Sequence, residues 1–238
     1  MPYQTGILEA LKDWGLVVHE VSGWRTRGSS SFDPHGHVIH HDVVPDQPGN
    51  SDHIPTIIVN GRPDLAGPLA NFWLERDGDV HLCAAGTANH AGAGSWNGLN
   101  ENREVWGTEM NNMGTAADPW PKAQLDAMAR LAAATADYSG FTSGMVAGHK
   151  EWAPGRKSDP HSIDMAAFRV RVAAQTKEPD VTAEDLAAIR DIVQNNTNKV
   201  LAELKGDEDG VAAQGRQAVV SMPDAAAERW FAIARLKP

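Results

Sequence analysis

Residues 102–138 place the tightest constraint on how this chain folds. NREVWGTEMNN (102–112) reads as a strand, and Pro121 then opens KAQLDAMARLAAATADY, whose Leu125, Met128, Leu131 and Ala132 share one helical face. A strand feeding an amphipathic helix needs further apolar surface for both to cover, and the earlier segments supply it. TGILEALKDW (5–14) carries Ile7, Leu8 and Leu11 at helical spacing and stops at Gly15. LVVHEV (16–21) and HVIHH (37–41) read as strands, separated by the Gly/Ser/Pro-rich loop SGWRTRGSSSFDPHG. NFWLERDGDVHLCAAG (71–86) predicts a hairpin joined at Asp77-Gly78, a pair favoured in two-residue type I′ turns. Strands interleaved with helices predict an α/β domain, a mixed central β-sheet flanked by helices, running to about residue 175.

Composition changes after that point. The expected division is a domain over 1–175, a linker TKEPDVT (176–182) and a small C-terminal helical module over 183–238. Thr182 with Asp185 resembles a capping box, and the helix behind it carries Leu186, Ile189, Val193 and Val200 on one stripe. A last helix is expected after Pro223, with Trp230, Phe231, Ile233 and Leu236. Such a pair can pack on itself, on the main domain, or on another copy, which makes homo-oligomerisation through these helices an expectation.

An apolar fraction of 42% and a charged fraction of 22% belong to a soluble globular protein. The net charge of −10 argues against a nucleic-acid partner, which needs a basic face, and against electrostatic docking to anionic lipid. No apolar stretch is long enough to span a membrane. MPYQTGILEALKDWG has no basic segment leading into an apolar run, so the expectation is synthesis in a cytoplasm without a signal peptide. Cys83 is the only cysteine, so no intramolecular disulfide forms and a cysteine-based zinc site is excluded.

The histidines are more informative by position than by number. His40 and His41 end a strand, His149 ends GMVAGH, and Asp159 lies beyond Pro154-Gly155 in GHKEWAPGRKSDP. Ligands spread over strand ends and a loop are a common way to build a three-ligand zinc site with an open position. Two neutral imidazoles and one carboxylate leave net positive charge on the metal, enough to acidify water. Lys157, two residues before Asp159, is a candidate for stabilising an oxyanion, and Glu109 a candidate acceptor for the water's proton. These residues point to a metal-dependent hydrolase.

HVIHH, TANHAGAGSWNG, GTEMNN and GHKEWAPGRKSDP stand in the order seen in type-2 N-acetylmuramoyl-L-alanine amidases, a family that includes peptidoglycan recognition proteins. The segment SGWRTRG…DPHGHVIHH resembles the opening of the catalytic domain in endolysins of phages infecting actinobacteria, and the resemblance spans about 15–172. It implies a zinc (Zn2+) enzyme that cuts the amide between N-acetylmuramic acid and L-alanine in peptidoglycan. It implies His40, His149 and Asp159 as ligands, with His41 an alternative to His40, and Glu109 and Lys157 as catalytic residues. His90, with Trp96 and Asn97 in the same segment, falls where the family lines its muropeptide groove. The chain departs from the family at Asp42-Val43, where Thr-Ala is frequent, and at Asn71, where many members carry Tyr or His. The expected function is that of a phage endolysin, made in the host cytoplasm and acting on the wall after release through a membrane hole. A non-catalytic peptidoglycan-binding module and a zinc peptidase of the stem peptide are the alternatives, and a wall-binding role is a further option for 183–238.

Overall fold

The computed structural model describes residues 3–42, 54–177 and 183–205. The chain divides into two compact units, Met1–Glu178 and Pro179–Pro238.

The first unit is built on a mixed six-stranded sheet. In chain order its strands are β1 (Val18–Glu20), β2 (Gly36–Asp42), β5 (Phe72–Leu74), β6 (Val80–Leu82), β7 (Val105–Asn111) and β8 (Val146–Gly148). Two short strands, β3 (Gly61–Arg62) and β4 (Leu65–Ala66), form a separate antiparallel pair. The sheet order is β1-β6-β5-β7-β2-β8, with only β5 and β6 antiparallel. The helices are α1 (Ile7–Asp13), α2 (Lys122–Ser139), the single turn α3 (His149–Trp152) and α4 (Met165–Ala173). The expected mixed sheet flanked by helices is therefore the observed architecture.

Period-two alternation sorts β2 and β7 between the two faces. Ile39, Trp106 and Met110 enter the larger core with Leu11, Met128, Leu131 and Phe168 from the helices, whereas Val38 and Val105 pack with Trp152 and Leu99 on the other side. Trp106 is fully buried, edge-on to Phe32 at 4.7 Å, and donates through Nε1 to Ser139 Oγ at 2.9 Å. Such an aromatic pair adds about 0.5–1.5 kcal/mol beyond the area it buries. Asn71 is buried as well. Its side chain donates to the carbonyls of Ala84 and Gly86 and accepts from Gly107 N–H, a structural role that ties the hairpin to β7.

The hairpin differs from its expected turn. Leu74 pairs with Val80, so five residues rather than two connect the strands. Asp77 Oδ1 accepts from Asp79 N–H at 3.1 Å, Gly78 takes φ 101°, and Glu75 N–H closes the loop on Asp79 O. The aspartate side chain satisfies a backbone donor inside the loop and so favours the longer connection. The β3–β4 pair was not anticipated, although the Pro63-Asp64 pair that joins its strands is a turn signal.

In the second unit, α5 (Ala183–Lys205) forms where a helix was expected, with Val193 exposed and Ile189 half-buried. The capping residue Thr182 and the helix expected after Pro223 lie outside the described residues. Among the described residues no helix is long and apolar enough to cross a membrane.

Candidate metal centre and cleft

The site lies at the carboxyl ends of the parallel strands, where open α/β sheets generally place ligands. Parallel register sets His40 of β2 beside Glu109 of β7 on the same face. His149 follows β8 directly and begins α3, and Asp159 comes from the loop beyond that turn. The crowded charges of 148–162 divide into those that meet here and those that hold the loops. Lys150 N–H donates to Asp159 O at 2.6 Å, and its ammonium donates to the carbonyls of Pro160 and Ile163. Arg156 donates to the carbonyls of Ala91 and Ala93. Glu151 accepts from Gly148 N–H and forms a bidentate pair with Arg169, which fixes the turn that carries His149.

Among the described residues, His40, His149 and Asp159 are the one group placed to share a metal ion. His40 Nδ1 lies 2.8 Å from His149 Nδ1 and 3.3 Å from Asp159 Oδ2, and His149 Nδ1 lies 3.0 Å from the same oxygen. His149 Nε2 faces the Ala91 carbonyl at 2.9 Å, and a carbonyl only accepts, so Nε2 carries the proton. A neutral His149 therefore turns a bare Nδ1 toward a carboxylate and another imidazole. That arrangement is repulsive unless a proton or a cation sits between the three atoms, and a metal accepting all three lone pairs fits them.

Burial lowers His40 to about 4, and the Asp159 carboxylate opposes that shift only in part, so the ring is neutral at pH 7. Burial alone would raise Asp159, but a proton carried toward it by either facing imidazole outweighs burial and holds the carboxyl well below the usual carboxylate range, the part a cation would play once both Nδ1 atoms are bare. Burial, with the Asp42 and Asp159 carboxylates, raises Glu109 well above its ordinary value. Glu109 Oε1 is 3.9 Å from His40 Nδ1, and its buried Oε2 has no hydrogen-bond partner. His41 borders the cleft but stays out of the cluster, its Nδ1 accepting from His161 N–H at 3.1 Å. The structure thus brings His40 and not His41 to the cluster.

A cleft of about 510 Å³ opens over these groups, lined by Glu109, Lys157, Asp159 and His149 and bordered by Arg62 and Arg156. His90 also reaches it, yet the residue is 9% exposed and its Nδ1 lies 3.0 Å from His40 Nε2. Burial first, then the neighbouring His40, puts His90 well below its ordinary pKa. Trp96 and Asn97 are not brought to the cleft. Both donate to Gly144 O, at 2.9 and 3.0 Å, and the Trp96 ring lies under the Arg169 guanidinium. Arg62 and Asn102 line the cleft without having been singled out, and the Pro63-Asp64 turn after Arg62 was the available signal.

The chain matches the family described as N-acetylmuramoyl-L-alanine amidase over residues 30–162, more than half its length. No curated protein matches it. Among solved structures it is similar to PlyL, at 15% identity and TM-score 0.50, covering 68% of this chain and 98% of that one. A selenomethionine derivative of AmpD is similar at 25% identity and TM-score 0.49, covering 67% and 96%. The endolysin amidase LysCS from Clostridium intestinale URNW is similar at 18% identity and TM-score 0.47, covering 65% and 94%.

Proposed function

The chain belongs to the N-acetylmuramoyl-L-alanine amidase family, and from that premise we propose that it hydrolyses the amide between N-acetylmuramic acid and L-alanine in peptidoglycan, with zinc held by His40, His149 and Asp159. One observation carries this reading. Three acceptor atoms converge within hydrogen-bonding distance beside a buried carboxylate, Glu109, whose Oε2 is unpartnered. Bound there, zinc would supply Lewis-acid chemistry, polarising the scissile carbonyl and acidifying water.

The remaining chemistry belongs to the chain. Glu109 takes the proton of the attacking water, and the surroundings that raise its pKa suit it to hold that proton and pass it to the leaving amine. Lys157 faces the cleft with three N–H donors and stabilises the developing oxyanion. His40 and His149 turn Nδ1 toward the centre, and the short α3 turn with its Glu151–Arg169 clamp keeps His149 in place.

Metal analysis joined to mass spectrometry of digested peptidoglycan tests the proposal. The expected result is one zinc per chain and new free L-alanine amino termini. Muramic acid still bonded to L-alanine in the products would instead identify a stem-peptide peptidase. Wall binding without cleavage by zinc-loaded protein would identify a binding module. Asp159→Ala should lose both zinc and hydrolysis, and undiminished digestion by that variant would overturn the ligand set.

We further propose that the protein serves as a phage endolysin, supported by the resemblance of SGWRTRG…DPHGHVIHH to actinobacteriophage enzymes. Purified protein should clear suspensions of actinobacterial walls, and failure to clear them while cleaving soluble muropeptides would favour a role in muropeptide turnover.

A further inference from the structure

The His90–Ala91 segment touches both candidate histidine ligands, and its atoms allow a complete account of their protons. His90 Nε2 lies 3.2 Å from the Val105 carbonyl, which only accepts, so His90 donates there through Nε2–H. A neutral His90 then presents a bare Nδ1, which at 3.0 Å can only accept from His40 Nε2–H. His40 is thereby left with a bare Nδ1, the atom 2.8 Å from His149 Nδ1 and 3.3 Å from Asp159 Oδ2. The next residue repeats the logic with its backbone, because the Ala91 carbonyl accepts His149 Nε2–H at 2.9 Å.

We propose that His90 is a positioning residue that sets the tautomer and ring orientation of His40, acting with the Ala91 carbonyl so that one segment presents both imidazoles, Nδ1 inward, to the metal. This reading rests on the zinc site proposed above and adds a role to the expected one of His90 as a lining of the substrate groove.

The surroundings are built to hold that segment. Asn102 Oδ1 accepts from the backbone N–H of both His90 and Ala91, at 3.3 and 2.8 Å. The His90 ring lies flat on β7 where Gly107 stands, and a Cβ at 107 would come within 2.4 Å of the ring. Glycine in the middle of a β-strand weakens it, and here its absence of a side chain is what admits the imidazole.

Outer partners of metal-bound histidines typically contribute about 10–100-fold to metal affinity. The test is zinc affinity by competition with a chelating indicator, with no substrate present, alongside the visible spectrum of the cobalt(II) form. His90→Leu keeps volume but removes the acceptor, and should weaken zinc binding by roughly 10–100-fold and shift the cobalt bands. His90→Asn returns an acceptor near the place of Nδ1 and should recover most of the affinity and the wild-type spectrum. Gly107→Ala, which leaves the His90 side chain intact but displaces its ring, should weaken zinc as His90→Leu does and serves as the second variant if the leucine form does not fold.

Zinc affinity of His90→Leu within twofold of wild type would overturn the role, as would equal losses for the leucine and asparagine variants. A wild-type protein that binds no zinc would overturn the metal centre and this inference together. Wild-type protein that binds zinc but does not release L-alanine termini would overturn the amidase reading alone, since the affinities still decide the role of His90.

Discussion

His37 is the one buried histidine on the helical face of β2, held between Thr108 Oγ1 at 2.8 Å and Thr135 Oγ1 at 2.9 Å. Thr135 spends its own proton on the Ala132 carbonyl, so His37 donates through Nδ1 and accepts from Thr108, as only a neutral ring can. Burial, helped by nearby His40, lowers its pKa from 6.5 to about 3. Between those values the unfolded chain binds a proton that the folded chain does not. This contribution to stability is therefore complete above about pH 6.5 and declines as the pH falls toward 3, at ~1.4 kcal/mol per pH unit. In urea unfolding at pH 7 and pH 4.5, His37→Gln should lose visibly less stability between the two than wild type. An unchanged acid-side loss would mean that His37 does not carry it. Glu109 is a residue-scale prediction of a different kind. Glu109→Gln should lower kcat by ~10²–10⁴ with a smaller effect on KM, and equal changes in both would give it a positional role instead.

Among the elements, α4 depends on the residue just before it, Asp164, for a clean start. Asp164 Oδ1 accepts from the N–H groups of Ala166 and Ala167, at 2.9 and 3.1 Å, and Asp164→Ala should cost about 1 kcal/mol by urea unfolding. The helices and main strands were legible because their signals are local: periodic apolar residues in α1 and α2, and short apolar runs between Gly/Pro loops for β2 and β7. The 71–86 hairpin was legible as a hairpin but not in its length, because the Asp77 side chain competes for a backbone donor that a two-residue turn would leave elsewhere. At the end of β2, the sequence places two histidines side by side, and alternation puts them on opposite faces. Which face becomes the site depends on what packs there. α2 and its neighbours cover the Ile39 face, while the loops carrying His90, His149 and Asp159 gather over the other.

For the molecule as a whole, the two compact units set the prediction. We propose that Met1–Glu178 is the catalytic unit, so a chain ending at 178 should bind zinc with wild-type affinity and cleave soluble muropeptide, while sedimentation reports whether self-association is lost with 179–238. Loss of zinc binding in the shortened protein would place part of the metal centre's support in the second unit. The order of residue types along the chain was enough to indicate an α/β fold, its mixed sheet, and a His/His/Asp group with Glu109 and Lys157 nearby. Those readings rest on periodicity, turn chemistry and the donor atoms that a metal requires, all of which are properties of side chains in sequence. The proton positions at the site were of another kind. They depend on the Val105 and Ala91 carbonyls and on the bare Cα of Gly107, backbone features that every residue, or any glycine, carries alike. A carbonyl leaves no mark in the sequence of what it will accept, so the role of His90 emerged only when folding set the Val105 carbonyl against His90 and the Ala91 carbonyl against His149.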